Sequence, residues 1–234
     1  MDNDTYSNIY ESGTDFDNVL LRYNFEVMRE RLSGTSALEM GCGRGTSTAL
    51  LASKFRNLHV VDASQKALDL AKQFTPGNVR FFCGYFEEFE PEQTYDSIVM
   101  SNILEHMEHP VEILKRAQSW LTPQGSLHIV VPNADSFHRH LGVAMGMLAK
   151  VEELNDRDRQ LGHHRVYNRE RLLLDLQAAG LRILHTEGVM LKFLSNAQME
   201  NLGSDVIDGL FKLRQAFPEH GAEIYAHAVP QWDR

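Results

Sequence analysis

The chain has 234 residues, enough for one α/β domain with a full core and cramped for two. Its apolar and charged fractions, 43% and 24%, are those of an ordinary globular protein. A formal net charge of -9, with no long basic run, argues against nucleic-acid phosphates and anionic membranes as partners.

The opening stretch MDNDTYSNIY has no basic n-region and no apolar h-region, so a secretory signal is not expected. No apolar run approaches the roughly 18 residues of a bilayer span. Cys42 and Cys83 are the only cysteines, which leaves no disulfide framework and makes a reducing cytoplasm the expected compartment.

Residues 1–34 read as a polar lead-in and then a helix, with Phe16, Val19, Leu20, Tyr23, Val27 and Met28 at helical spacing and Ser33-Gly34 ending it. From Ala37 short apolar runs alternate with amphipathic helices. Strands are expected at Ala37–Met40, Leu58–Asp62, Val79–Phe82, Asp96–Ser101 and Ser126–Val131. Helices are expected at Thr46–Lys54, at Ser64–Phe74 with Ser64 as cap, and from Pro110, which suits a first helical turn. Thr122-Pro123-Gln124-Gly125 reads as a turn. Residues 133–168 break the rhythm and read as an inserted helical lid over the sheet edge. The rhythm resumes in 169–234 with a helix from Arg169 closed by Gly180, a strand from Leu181, a helix from about Ala197 to Phe217, and a last strand Ala222–Val229. Alternation of this kind predicts one doubly wound α/β domain whose seven-stranded, mostly parallel sheet has its last strand antiparallel.

Two motifs carry chemistry. The loop Gly41-Cys42-Gly43-Arg44-Gly45 lies between the first strand and the helix after it, where glycines let a ligand approach the backbone. Its spacing is tighter than the dinucleotide fingerprint, because Thr46 stands where the third glycine would fall. That disfavours a dinucleotide-dependent oxidoreductase. Asp62 ends the second strand about twenty residues further on, where a carboxylate can accept from both ribose hydroxyls.

The ordered runs Leu38–Gly45, Val60–Ser64, Tyr95–Met100 and Leu121–Leu127 resemble the class I S-adenosylmethionine-dependent methyltransferases. The resemblance covers residues 35–132 well and implies a Rossmann-like fold with S-adenosylmethionine as cofactor. It also implies roles: Glu39 for the methionine part, Gly41 and Gly43 beneath it, Asp62 on the ribose, Ala63 beside the adenine, and Tyr85 and Phe86 as its wall. Many relatives carry an acid where Tyr85 stands. Ser101 and Asn102 would face the methyl group and the acceptor. Ubiquinone-biosynthesis and small-RNA O-methyltransferases carry a run similar to Asn102-Ile103-Leu104-Glu105-His106, with a glutamate at the first position, and bind a divalent ion there. Here the first acid is an amide, and the expectation is a metal-free pocket shaped by Glu105 and His106. If an ion were held, Glu105 and His106 would hold it, with Asn102 and a histidine of the insertion.

The insertion carries His138, His140, His163 and His164. His138 and His140 read as helix-surface residues. His163, His164 and Tyr167 lie in a turn open to acceptor-binding or structural roles. Nearby arginines either bind an anionic acceptor or pair with Glu152, Glu153, Asp156 and Asp158 on a solvated face. Met145, Met147 and Leu148 fit an acceptor pocket, core packing or a homodimer contact. The expected activity is methyl transfer to a small molecule, at oxygen, with His106 or His163 as base. The alternatives are a small-molecule N-methyltransferase and a cofactor-binding partner protein without chemistry of its own.

Overall fold

A computed structural model describes residues 16–231; the lead-in expected at residues 1–15 lies outside them. Seven strands form one sheet: β1 Ser36–Met40, β2 Asn57–Asp62, β3 Val79–Cys83, β4 Tyr95–Ser101, β5 Leu121–Pro132, β6 Leu181–Gly188 and β7 Glu223–Pro230. Their order is β3-β2-β1-β4-β5-β7-β6, with β7 antiparallel to both its neighbours and the other pairs parallel. This is the sheet expected from the alternation. Strand order reverses between β1 and β4, and the crevice at the C-terminal ends of those two strands is where such folds bind ligands.

Helices cover both faces because the strands alternate their side chains between two cores. Leu38, Met40, Ile98 and Met100 point to one face, under α4 (Pro110–Ser119) and α7 (Arg169–Ala178). Ala37 and Val99 point to the other, under α1 (Phe16–Met28), α2 (Thr46–Lys54), α3 (Gln65–Lys72) and α9 (Ser204–Leu213). Ser64 caps α3 by accepting from the Ala67 N–H at 3.2 Å. Buried tyrosines satisfy their hydroxyls inside the core: Tyr95 with His59 Nδ1 at 2.9 Å and Tyr225 with His128 Nδ1 at 2.8 Å.

Three expectations need correction. The turn Thr122–Gly125 is absorbed into β5, with a register shift against β4 between Tyr95 and Ser97. A Cβ on Gly125 would meet the Tyr95 carbonyl oxygen at 2.8 Å, so this glycine serves a close strand approach. The long helix expected over 197–217 is α8 (Asn196–Met199) and α9, broken where Gly203 caps α9, followed by a 3-10 turn. The insertion, α5 (Phe137–Ala144) and α6 (Asp156–Gln160), follows β5, an interior strand of the sheet rather than an edge strand. It is tied instead to the segment after β4: the His164 N–H donates to the Glu105 carbonyl at 2.8 Å, and Arg165 donates to the Met107 carbonyl at 2.6 Å.

Candidate active site

The glycine loop follows β1 and turns through three positive φ angles, 77° at Gly41, 49° at Gly43 and 87° at Gly45. A Cβ on Gly41 would meet Ile103 Cδ1 at 2.4 Å, whereas one on Gly43 would meet nothing within 4 Å. Gly41 therefore makes the turn and Gly43 leaves the open face on which a ligand can lie. Asp62 is locked to this loop. Its Oδ2 accepts from the Cys42 N–H at 2.9 Å and its Oδ1 from the Ser64 N–H at 2.9 Å. Glu39, on β1, is 2% exposed and accepts from Thr48 Oγ at 2.6 Å. Burial pushes its carboxyl up to about 7 against the hydrogen bonds of Thr48 and Ser47, with the Asp62 charge adding to the rise.

Across the crevice β4 ends at Ser101, and Asn102 takes φ 56°, the one positive φ outside glycine among the described residues. Its Nδ2 donates to Glu223 Oε1 at 2.9 Å. Glu223 reaches this place because β7 runs antiparallel, so its first residue pairs with Pro132, the last residue of β5. Burial pushes Glu223 up to about 7, opposed by the Asn102 and Asn24 amides that face it. Neither Glu223 nor Asn24 stands out in the sequence as a site residue. The signal was an acid at the mouth end of an otherwise apolar strand, and an asparagine on the buried stripe of α1.

Beyond Asn102 the structure brings together Glu105, His106 and His163. Each offers one ligand atom, and those atoms lie within 4.8 Å of one another. Glu105 is fully buried and both its carboxylate oxygens lack hydrogen-bond partners. The His106 and His163 rings meet edge to face, with centroids 4.7 Å apart. One carboxylate and two imidazoles form a donor set suited to a divalent transition ion, so these residues fit one. His163 Nδ1 also stands 3.5 Å from Asp158 Oδ1. Asp158 in turn pairs at 3.1 Å with Arg139, both nearly sealed from solvent, so the expected solvated face is here a buried ion pair. Arg139 also donates from Nε to the Val151 carbonyl at 2.6 Å and from Nη2 to that of Glu153. It holds the insertion together and is not exposed to an anionic acceptor.

The remaining candidates fall differently. Phe86 is partly buried, and a Cβ on Gly41 would lie 3.8 Å from its ring. Ala63 is partly buried beside Asp62, and Tyr85 is exposed. His164 is exposed, while His138 is only partly so and has its Nδ1 sealed from solvent, which overturns a helix-surface reading for it. His140 is exposed. The Tyr167 side chain turns inward: its ring is fully buried and its hydroxyl donates to Asp175 Oδ2 at 2.9 Å. Met145 and Met147 are exposed rather than core residues. A shallow groove between α7 and β6 lies at the far edge of the sheet, away from this chemistry. No described helix is long and apolar enough to cross a membrane.

A methyltransferase-domain family profile matches residues 18–186. The chain is 33% identical over 102 residues to a pavine N-methyltransferase of Thalictrum flavum subsp. glaucum, covering 41% of this chain and 29% of that protein. It is 30% identical over 115 residues to the mitochondrial ubiquinone biosynthesis O-methyltransferase of Schizosaccharomyces pombe, covering 46% of this chain and 42% of that protein. The matched region thus spans less than half of these relatives. Among solved structures, the 1,6-didemethyltoxoflavin-N1-methyltransferase of Burkholderia thailandensis, with its substrate and S-adenosylhomocysteine bound, superposes with a TM-score of 0.63 at 18% identity, covering 92% of this chain and 80% of that one. The N-methyltransferase NodS of Bradyrhizobium japonicum WM9, bound to S-adenosylhomocysteine, does so with 0.57 at 16% identity, covering 91% and 84%. With the profile spanning well over half of its length, the chain belongs to the methyltransferase-domain family.

Proposed function

We propose that the protein transfers a methyl group from S-adenosylmethionine to a small-molecule acceptor. One observation carries this reading: a glycine loop open at Gly43, joined through the Cys42 N–H to the Asp62 carboxylate at the switch point of the sheet. The fit of the cofactor rests on that open face and on Glu39, a buried carboxyl that accepts from Thr48. Glu39 binds the amino-acid part, Gly41 and Gly43 pass beneath it, and Asp62 takes the ribose, with Ala63, Tyr85 and Phe86 along the base. Bound there, S-adenosylmethionine supplies an electrophilic methyl group. The chain's own work is to align an acceptor and exclude water, with Ser101 and Asn102 lining the approach and the insertion closing over it.

The acceptor atom turns on the bases available. Burial holds the His106 imidazole down at about 3, with His163 and His164 adding to the effect, so it accepts a proton poorly near neutral pH. A free amine is already nucleophilic and needs no histidine base, so we take nitrogen as the acceptor atom. A second reading keeps oxygen, with His163 as base, because Asp158 stands 3.5 Å from its Nδ1. A divalent ion held by Glu105, His106 and His163 would add a Lewis acid at the mouth.

Calorimetric titration with S-adenosylhomocysteine and with a nicotinamide dinucleotide tests the cofactor. Binding of the first alone is expected, and binding of the second alone would reverse the assignment. Turnover on amine and alcohol acceptors of matched skeleton then separates the two atoms, and its absence with every acceptor would favour a cofactor-binding partner protein.

A further inference from the structure

Four polar residues meet at the mouth and leave hydrogen-bonding atoms unused. Asn24, on α1, is 1% exposed and its amide faces Glu223, yet neither amide atom completes a hydrogen bond. Glu223, at the start of β7, is 4% exposed, and its Oε2 has none. Asn102 Oδ1 and Ser101 Oγ, at the end of β4, are likewise buried and unpartnered. Buried polar atoms are nearly always satisfied, so this concentration calls for a ligand that satisfies them.

The unused atoms have a bias. Glu223 Oε2, Asn102 Oδ1, Asn24 Oδ1 and Ser101 Oγ all accept, whereas only Asn24 Nδ2 and the Ser101 hydroxyl donate. A hydroxyl brings one donor to such a place, and an ammonium brings up to three together with a positive charge. Asp17 and Lys192 lie near Glu223 with opposing charges, so the preference for a cation comes from the unpaired oxygen of Glu223 itself. We infer that Glu223, Asn24, Asn102 and Ser101 form the acceptor subsite and bind a primary or secondary amine, with Glu223 Oε2 accepting from its N–H.

The inference rests on the methyltransferase reading and deepens it. An arriving ammonium gives one proton to the Glu223 carboxylate, which leaves a nitrogen lone pair. That pair forms the new N–C bond as the sulfur–methyl bond breaks, and the electrons of the broken bond stay on sulfur. The methylated ammonium leaves, and Glu223 returns its proton to solvent. Burial, which pushes the Glu223 carboxyl up to about 7, suits it to hold that proton.

The test is methyl transfer to paired amines and alcohols of one skeleton, with S-adenosylhomocysteine affinity measured alongside. Amines are expected to be methylated and alcohols not. Glu223→Gln is expected to raise KM for the amine by about ten- to a hundredfold, the scale of one charge-assisted hydrogen bond, with cofactor affinity kept and the melting temperature not lowered. Asn24→Leu is expected to act in the same direction. Alcohol preference, or an unchanged KM in Glu223→Gln, overturns the inference. Loss of cofactor binding in the wild type overturns the methyltransferase reading instead. If no pair turns over, methylammonium soaked into crystals of the S-adenosylhomocysteine complex decides: a nitrogen within about 3.2 Å of Glu223 Oε2 supports the subsite and its absence overturns it.

Discussion

The Cys42 N–H donates to Asp62 Oδ2 at 2.9 Å, so the carboxylate that ends β2 is fixed by the loop that follows β1. Ser64 N–H holds the other oxygen, also at 2.9 Å. Oδ2 also faces the Cys42 thiol at 3.6 Å, whereas Oδ1 keeps a further lone-pair site for a ligand. Asp62→Ala is expected to weaken S-adenosylhomocysteine binding by about ten- to a hundredfold, since one or two charge-assisted hydrogen bonds are lost. Calorimetry reads this directly. An affinity within twofold of wild type would remove Asp62 from the cofactor site.

Gly41 and Gly43 separate turning from binding. Both have positive φ, which disfavours any Cβ by about 1 kcal/mol. Gly41→Ala adds a clash with Ile103 Cδ1 at 2.4 Å, whereas Gly43→Ala meets no protein atom within 4 Å. The expected outcome is a melting temperature lowered far more by Gly41→Ala than by Gly43→Ala. Gly43→Ala should nonetheless lose most of its cofactor affinity, because its methyl group occupies the face on which the ligand lies. Thermal melts with and without S-adenosylhomocysteine distinguish the two.

The sheet was legible because its strands are short apolar runs with turn residues between them, and the glycine loop because its chemistry is local in sequence. Misreadings arose where tertiary context overruled a local signal. Pro123 and Gly125 look like a turn, yet they fit inside β5 because Gly125 lets the strand pass close to Tyr95. Tyr167 sits in a histidine-rich loop but packs inward onto Asp175. Arg139 has acidic neighbours in sequence, and only the fold shows that its pair with Asp158 is buried. Glu223 could not be joined to Asn102 from sequence, being 121 residues away and meeting it only through the reversed direction of β7.

Glu39 and Glu223 make the ligand-free protein sensitive to pH. Burial raises both carboxyls from an ordinary 4.5 to about 7. Between those values the folded state binds protons that the unfolded state has released, so stability is full below about 4.5 and falls as pH rises through 7. A shift of this size corresponds to about 3 kcal/mol per group as an upper bound. Glu39→Gln is expected to remove the share of the decline that Glu39 contributes, because its amide has no charge to bury. Urea melts from pH 4.5 to 8 check this. An unchanged slope in Glu39→Gln would show that its carboxyl titrates normally.

Glu105 is the least satisfied acid among the described residues, fully buried with two unpartnered oxygens, and burial raises its carboxyl well above the ordinary range. A divalent ion between it, His106 and His163 would answer that deficit, because a cation favours the ionised carboxylate and neutral imidazoles. Dialysis against a chelator followed by addition of Mn2+ or Zn2+ is therefore expected to raise the wild-type melting temperature. An ion at a hundred times its dissociation constant stabilises by about 2.7 kcal/mol, which for a chain of this length is a rise of about 5–10 °C. Glu105→Gln and His163→Ala should show no such rise, although Glu105→Gln removes a buried acid and should itself be no less stable without metal. A wild type indifferent to both ions would leave Glu105 as a neutral, protonated acid whose role is to shape the pocket beside Asn102.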